Sequence, residues 1–332
     1  MNERRIDEIT ERLQAGVREG RLPGLHAVLM LQHGQPISEV YFSGVDERIG
    51  HERALCHFGP DVRHDLRSVT KSVVGLLAGI AVIERNIDVH TPLRELLPRR
   101  REQFTEASAA LSLHHVLTMT MGLAWDETPS YQDTRNSEIQ MAMAPDRVAY
   151  VLGRPAAEPP GVRWHYSGGA TELLAELILE HTGTSLADFA AQRLFSPLGI
   201  AAEWNGDSKG PYAASGLRLT ARELAQIGQL LLQQGVHQGT QLLPRRWLDV
   251  ALREHVRRDA DLGYGYHFTV GTLRGQRFVA GMGNGGQRLY VLPELQASVV
   301  LFAGNYNDRT LGAEVPRRVL TDHVLPLLAA ER

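Results

Sequence analysis

The chain has 332 residues, of which 43% are hydrophobic and 22% are charged. This composition supports a sizeable hydrophobic core and excludes a chain kept disordered by excess charge. The basic and acidic residues leave a net charge of -3, so no basic surface for nucleic acid is expected. The single cysteine, Cys56, excludes internal disulfides and metal centres built from several cysteines.

The first residues, Met1-Asn2-Glu3-Arg4-Arg5, lack the apolar segment of a secretory signal peptide. The most apolar run, residues 73–83, is about half as long as a bilayer requires. We therefore expect a cytoplasmic globular protein that has no membrane partner.

The N-terminal third predicts a helix, a hairpin and a second helix. Apolar residues recur at helical spacing up to Gly20, which ends the first helix. Two short apolar runs, residues 25–31 and 37–43, flank His33-Gly34 and predict a β-hairpin. Residues 68–85 form a strongly apolar segment, and we predict that it is helical.

The rest of the chain predicts helices and then strands. Helices are expected at residues 113–121, 144–152, 171–181, 221–231 and 311–328, and strands at residues 264–270, 276–280, 288–292 and 297–302. Thr220 and Glu223 form a capping box at the start of one helix. Because β structure lies at both chain ends, we predict one antiparallel sheet built from both ends, flanked by helices, with a mainly helical insertion.

Ser68 and Lys71 form the first chemical motif, at the start of the apolar helix. Residues i and i+3 share a helix face, so the Lys71 amine is expected beside the Ser68 hydroxyl. Burial against apolar neighbours would bias this amine toward its neutral form, which can activate a serine nucleophile. Only two of the 35 basic residues are lysines, Lys71 and Lys209, which strengthens this interpretation. The alternative is a helix cap followed by a surface lysine.

Tyr166 lies in a segment, Trp164-His165-Tyr166-Ser167-Gly168-Gly169, that precedes a predicted helix. A tyrosine in a loop that enters a helix can pass a proton between a nucleophile and a leaving group. The alternative is a tyrosine that only packs at a helix start. His165 is expected to border the same site.

Residues 281–287 are rich in glycine and contain the pattern G-x-G-x-x-G. A dinucleotide site requires a helix after these glycines, whereas residues 288–292 are strand-like. We therefore predict that Gly281, Met282 and Gly283 form a strand edge against which a substrate lies. Exposed amides there can form an oxyanion hole.

Two further patterns lack the surroundings that a functional site would need. Residues 206–210 match G-x-S-x-G around Ser208, but neither flank is the strand or helix that a nucleophile elbow needs. We expect a polar loop with Lys209 as a solvated charge. His114 and His115 lie on adjacent helix faces and cannot bind one metal ion together.

In this order, the segments resemble the serine β-lactamase and penicillin-binding-protein superfamily. The resemblance is greatest to its class C-like branch, which includes carboxylesterases and 6-aminohexanoate-dimer hydrolases. Ser68-Val69-Thr70-Lys71 is similar to the S-x-x-K element, and residues 117–123 to the helix-to-loop signature after it. His165-Tyr166-Ser167 stands in the place of Y-x-N, and Gly281-Met282-Gly283 in the place of K-T-G.

The resemblance implies an α+β, class C β-lactamase-like fold. We expect a mixed α/β domain from residues 1–64 and 261–332, a mainly helical domain at 65–260, and an active site between them. It implies that Ser68 is the acylated nucleophile, Lys71 its base, and Tyr166 the group that protonates the leaving group. The N–H groups of Ser68 and Asn284 would form the oxyanion hole. The scheme needs no metal or cofactor.

Three positions depart from the family pattern. Gly168 replaces the Y-x-N asparagine, Gly281 the K-T-G lysine, and Ala214 a position that often carries an amide. Because lost hydrogen-bonding groups weaken discrimination, we expect a small ester or amide substrate rather than a β-lactam. The alternatives are a β-lactamase or D-Ala-D-Ala carboxypeptidase, and a non-catalytic binding protein on the same fold. The sequence leaves the oligomeric state open.

Overall fold

The computed structural model describes residues 3–329. The chain forms two compact units. The first comprises Met1–Val69, Arg218–Gly235 and Gly271–Arg332, and the second Thr70–Leu217 and Val236–Val270. Residues 1–2 and 330–332 of the predicted first domain lie outside the described part of the chain.

The first unit contains an antiparallel sheet built from both ends of the chain. Five of its strands follow one another in the order Gln276–Gly283, Gln287–Leu292, Ala297–Ala303, Leu25–Gln32 and Gln35–Tyr41, the last of these at the edge of the sheet. The strand Ala297–Ala303 is buried along its whole length, as expected for the middle of a covered sheet. His33 and Gly34 adopt positive φ angles of 49° and 76° and close the predicted hairpin. The predicted sheet is confirmed.

Helices in the first unit flank this sheet. They are Glu3–Arg18, Ala221–Leu232, Arg309–Arg318 and Leu325–Ala329, and a wider helical turn, Val319–Val324, joins the last two. The predicted capping box is present, because the Thr220 side chain accepts from the Glu223 N–H and the Glu223 carboxylate accepts from the Thr220 N–H. The helix Ala221–Leu232 packs on the sheet and therefore belongs to this unit rather than to the predicted helical domain. The unit also contains a short 3₁₀ turn, Pro293–Leu295, and three short strands, Ser43–Asp46, Ala54–His57 and His64–Asp65.

The second unit is mainly helical. Its helices are Val69–Glu84, which starts at the last residue of the first unit, and Leu93–Leu96, Pro98–Gln103, Leu113–Leu117, Ser137–Met143, Arg147–Leu152, Gly168–Thr182, Leu186–Ala190, Ala191–Phe195, Ser196–Leu198 and Arg245–Ala251. Short strands connect these helices: Glu203–Trp204, Gly206–Asp207, Gly210–Pro211, Val236–His237, Thr240–Gln241, Val256–Arg257 and Leu262–Tyr264. Two more strands, Leu217–Leu219 and Thr269–Leu273, begin in this unit and end in the first. Among residues 3–329, no helix combines the length and apolar character needed to cross a membrane.

One predicted strand, residues 264–270, is interrupted around His267, and one predicted helix, 113–121, ends early at Leu117. The break in the strand is explained by the hydrogen bonds of His267. The His267 N–H donates to the Leu117 carbonyl, and the His267 carbonyl accepts from the Ser72 hydroxyl at 2.6 Å. Because these bonds occupy the backbone of His267, which has a positive φ of 61°, it cannot continue a strand ladder.

Candidate active site

Ser68 lies immediately before the helix Val69–Glu84, as the spacing predicts. The preceding turn is closed by a hydrogen bond from the Val69 N–H to the Leu66 carbonyl at 3.1 Å. The Ser68 side chain is 9% exposed. After Lys71 the helix carries no charged residue until Glu84, so its first turn is polar and its body is apolar.

Lys71 is a buried cation in the second unit, only 2% exposed. Its ammonium group donates to the Ala214 carbonyl at 2.9 Å and to Glu138 Oε2 at 3.2 Å. It also lies 5.0 Å from the centre of the Tyr166 ring. The alternative of a surface lysine is therefore wrong.

The protonation state of Lys71 differs from the sequence-based expectation. Burial lowers the pKa of this amine, but the charges of Glu138, Tyr166 and Glu127 together outweigh burial and raise the pKa. The predicted bias toward a neutral amine is wrong, because the carboxylates that surround Lys71 could not be identified from local sequence. The raised pKa favours the protonated form of Lys71.

Tyr166 lies in the loop that enters the helix Gly168–Thr182, as predicted. The His165 N–H donates to the Met119 carbonyl at 2.8 Å, which ties this loop to the segment after the helix Leu113–Leu117. The ring of Trp164 lies 6.0 Å from that of Tyr166 and 5.5 Å from that of Tyr264. The phenol is thus held by ring packing beside the Lys71 ammonium.

Glu127 is a buried carboxylate that sequence reasoning missed. It accepts hydrogen bonds from the Gly168 N–H at 2.6 Å, the Trp125 indole at 2.6 Å and the Tyr131 hydroxyl at 2.7 Å. Burial, together with the charge of Glu138, raises the pKa of the Glu127 carboxyl. A buried lysine requires a counter-charge, but nothing in the local pattern distinguishes Glu127 and Glu138 among the 38 acidic residues.

Ala214 contributes its backbone to the site, since its carbonyl accepts from Lys71. The segment before it is anchored by two buried charges. The Ala213 N–H donates to Glu172 at 3.3 Å, and Arg147 donates to the Pro211 carbonyl at 3.0 Å. These bonds fix the direction of the Ala214 carbonyl. Its predicted part in substrate binding stays a prediction.

In the first unit, Gly281, Met282 and Gly283 end the strand Gln276–Gly283, and a hairpin turn follows. A strand rather than a helix comes after the glycines, so the requirement for a dinucleotide fingerprint is not met. A Cβ atom placed on Gly283 would lie 2.5 Å from the Leu66 carbonyl oxygen. The strand end therefore runs beside the residues that precede Ser68.

Asn284 follows that strand end. Its side-chain amide donates to Asn307 Oδ1 at 3.1 Å, and its side-chain oxygen accepts from the Asn307 N–H at 2.9 Å. Because its side chain is engaged in this pair, Asn284 has its backbone fixed in the hairpin turn. Its predicted part in an oxyanion hole remains a prediction.

His165 borders a cavity of about 310 Å³ within the second unit. Its Nε2–H donates to the Trp125 carbonyl at 2.5 Å. The cavity wall includes charges of both signs, from Arg154, Arg163, Asp126 and Glu158. His165 is thus a wall residue beside the Tyr166 loop.

Ser208 lies at the exposed tip of a short hairpin formed by Gly206–Asp207 and Gly210–Pro211, away from any strand-to-helix turn. Lys209 is not simply solvated, because its ammonium donates to the Ala142 and Ala144 carbonyls at 2.7 and 3.0 Å. Among residues 3–329, no group of three or more His, Cys, Asp or Glu side chains is arranged to hold a metal ion.

Comparison with known proteins gives consistent matches over almost the whole chain. A family model described as Beta-lactamase matches residues 8–320. A 6-aminohexanoate-dimer hydrolase from Paenarthrobacter ureafaciens is 26% identical over 300 residues, which are 82% of this chain and 71% of that protein.

Solved structures share the fold. A putative 6-aminohexanoate-dimer hydrolase from Bacillus anthracis superposes with a TM-score of 0.77 at 22% identity, over 94% of this chain and 82% of its own. EstCE1, a hydrolase with promiscuous acyltransferase activity, superposes with a TM-score of 0.71 at 16% identity, over 97% and 98% of the two chains. The predicted fold class is confirmed.

Proposed function

The chain belongs to the Beta-lactamase family and is a hydrolase of that superfamily, and we propose that it cleaves a small ester or amide through an acyl-enzyme on Ser68. The observation that carries the proposal is the Lys71 ammonium, buried one helical turn after Ser68 and adjacent to the Tyr166 ring. Packing alone does not explain this lysine, because desolvating both Lys71 and its partner Glu138 is costly and apolar side chains could fill the same space.

In the proposed reaction, the Ser68 hydroxyl oxygen attacks the substrate carbonyl and its proton passes to the neutral fraction of Lys71. Tyr166 delivers a proton to the leaving group as the carbonyl–leaving-group bond breaks, and Lys71 passes the proton it took from Ser68 to Tyr166. The N–H groups of Ser68 and Asn284 stabilise the oxyanion. Water then attacks the acyl-enzyme carbonyl, and one of its protons goes to the Ser68 oxygen as the ester bond breaks and the acid is released.

The side chains around the site favour neutral substrates. Position 281 is glycine, so the cationic side chain of the K-T-G lysine is absent at this position. Two buried carboxylates, Glu127 and Glu138, lie near Lys71 and disfavour a further negative charge. A small neutral ester or amide fits these constraints better than a β-lactam. The similarity to 6-aminohexanoate-dimer hydrolases supports an amide as one substrate class.

A fluorophosphonate probe tests the nucleophile. Intact mass and peptide mapping are expected to show one adduct on Ser68, and the Ser68→Ala variant should stay unlabelled. Ser208 in the exposed hairpin is the internal control and should remain unmodified. An adduct on Ser208, or labelling that survives Ser68→Ala, would refute the assignment.

Turnover assays test the substrate class. We expect kcat/KM for p-nitrophenyl butyrate to exceed that for nitrocefin by at least about tenfold, because each missing polar contact costs about 1–3 kcal/mol. Short amides belong in the same panel. Nitrocefin turnover equal to or faster than ester turnover would instead favour a β-lactamase.

A further inference from the structure

We propose that Glu138 takes the place of the side chain that is missing at position 168 and acts as the positioning residue for the Lys71 ammonium. The proposal rests on the function proposed above. It explains why the chain carries glycine where family members carry the Y-x-N asparagine. Two residues 30 positions apart along the chain would then form one compensating pair.

The space around Gly168 is the first support. A Cβ atom placed on Gly168 would lie 3.0 Å from Glu138 Cδ and closer still to Glu138 Oε2. This oxygen is the one that accepts from Lys71. A side chain at position 168 and the Glu138–Lys71 contact therefore exclude each other.

The rigidity of Glu138 is the second support. It lies in the first turn of the helix Ser137–Met143 and is 7% exposed. The Asn136 side chain caps this helix by accepting from the Glu138 N–H at 2.9 Å, and its amide donates to the Pro129 carbonyl at 2.8 Å. With its backbone capped and its side chain buried, Glu138 holds the carboxylate on Lys71.

The chemistry gives the third support. A neutral asparagine would orient Lys71 without charge, whereas the Glu138 carboxylate both orients it and favours its protonated form. The other titratable groups that act on or face Lys71 are Glu127, Tyr166, Tyr264 and His267. Among these groups, Glu138 makes the largest contribution to raising the Lys71 pKa. Removing its charge should increase the neutral fraction of Lys71 at any given pH.

The pH dependence of acylation tests this role. Single-turnover acylation by p-nitrophenyl butyrate is measured from pH 6 to pH 10 for the wild type and Glu138→Gln. We expect the wild-type rate to rise throughout this range, and the Glu138→Gln rate to level off within it, because loss of the carboxylate charge lowers the pKa of Lys71. Glu176→Gln is the matched control, because Glu176 is equally buried but pairs with Arg100; its profile should follow the wild type. A Glu138→Gln profile with an unshifted rise would overturn the proposal.

A double substitution tests whether a side chain at position 168 and the Glu138 carboxylate occupy the same space. Gly168→Asn alone is expected to reduce acylation at least tenfold, because the new side chain collides with Glu138 and moves the Lys71 amine that Glu138 holds out of position. In the Glu138→Ala background the same change should instead increase acylation, since the asparagine then fills the vacated space. Gly183→Asn, at a helix end with no atom near its Cβ position, controls for the residue type. If the two substitutions reduce the acylation rate independently, so that the double variant is slower than either single variant, the compensating pair is contradicted.

The two proposals fail in different ways. If the protein is not a Ser68 hydrolase, the fluorophosphonate adduct on Ser68 is absent from the wild type. If only the role of Glu138 is wrong, the wild type and both Glu138 variants still form this adduct, but the pH profiles coincide and the double substitution shows no rescue.

Discussion

The protonated form of Lys71 is stabilised by partners that lie far from it in sequence. Its ammonium contacts Glu138, 67 positions away, and the Ala214 carbonyl, 143 positions away. A buried cation without such acceptors would lose its proton, because burial penalises the charged form. The proposed base is therefore a group whose raised pKa restricts the neutral form to alkaline pH.

Replacing Lys71 by arginine separates the role of a base from that of a fixed cation. Arginine keeps the charge but cannot become neutral, so Lys71→Arg should reduce acylation by about 10²–10⁴. For the wild type, the raised pKa predicts that acylation increases with pH above neutrality, because the neutral amine is the reactive form. Single-turnover acylation of the protein by a chromogenic ester measures both the rate of the Lys71→Arg variant and the pH dependence of the wild type.

Lys209→Arg is the matched control for that experiment. Like Lys71, Lys209 donates to main-chain oxygen, here the Ala142 and Ala144 carbonyls, but it lies in the exposed hairpin. Its arginine variant should acylate at the wild-type rate. A folded Lys71→Arg protein that acylates within tenfold of the wild type would show that Lys71 acts only as a cation.

At the scale of elements, the end of the strand Gln276–Gly283 fixes the turn that carries Ser68. Gly283 approaches the Leu66 carbonyl and the Arg67 side chain, and a Cβ atom would lie 2.5 and 3.2 Å from them. The first contact is with backbone, which cannot turn aside as a flexible side chain can. Glycine at this position brings the predicted oxyanion residue Asn284 close to the Ser68 turn.

Gly283→Ala should consequently disturb both stability and acylation. The added methyl must push the strand away from residues 66–67, at a cost of about 1–3 kcal/mol. Thermal unfolding and single-turnover acylation measure the two effects. Gly59→Ala is the control, because no atom lies within 4 Å of a Cβ at that position. An unchanged unfolding midpoint for Gly283→Ala would mean that the close approach does not constrain the strand.

At the scale of the whole molecule, burial lowers the pKa of several histidines. In the first unit, His26 Nδ1 lies 3.0 Å from His64 Nε2, and its ring stacks on Phe58. Burial, reinforced by His64, lowers the pKa of His26 to about 3. In the second unit, burial lowers the pKa of His267 to about 4.

Acid should therefore destabilise the protein. Below pH 6.5 the unfolded state takes up a proton at His26 while the folded state does not, so the free energy of unfolding falls as pH decreases. From a pKa of about 3 against the ordinary 6.5, the loss between pH 7 and pH 5 is about 2 kcal/mol.

Unfolding measured at pH 7 and pH 5 tests this contribution. His26→Asn is expected to reduce the difference between the two pH values, whatever its effect on stability at pH 7. His51→Asn, at an exposed position, serves as the control and should leave the difference unchanged. A difference that His26→Asn does not alter would assign the acid sensitivity to other groups.

The sequence by itself determined the fold class, the hairpin at His33-Gly34 and the capped helix after Thr220. It also determined that Lys71 lies at the start of an apolar helix and that Tyr166 lies in a loop that enters a helix. The fold class follows from the order of segments along the chain, and the other features depend on neighbours within a few residues: apolar periodicity, turn residues and helix caps. Such local preferences act in the unfolded chain as well, so they can be read without knowing long-range contacts.

The tertiary structure alone decided the break at His267, the attachment of the helix Ala221–Leu232 to the sheet, and the charge of Lys71. Each depends on a partner chosen by packing: the Leu117 carbonyl for His267, the sheet face for the helix, and Glu138 for Lys71. Electrostatic and packing energies act over a few ångströms in space regardless of separation along the chain. A local pattern therefore identified the buried lysine, but only the folded chain showed which carboxylates surround it and why its pKa rises.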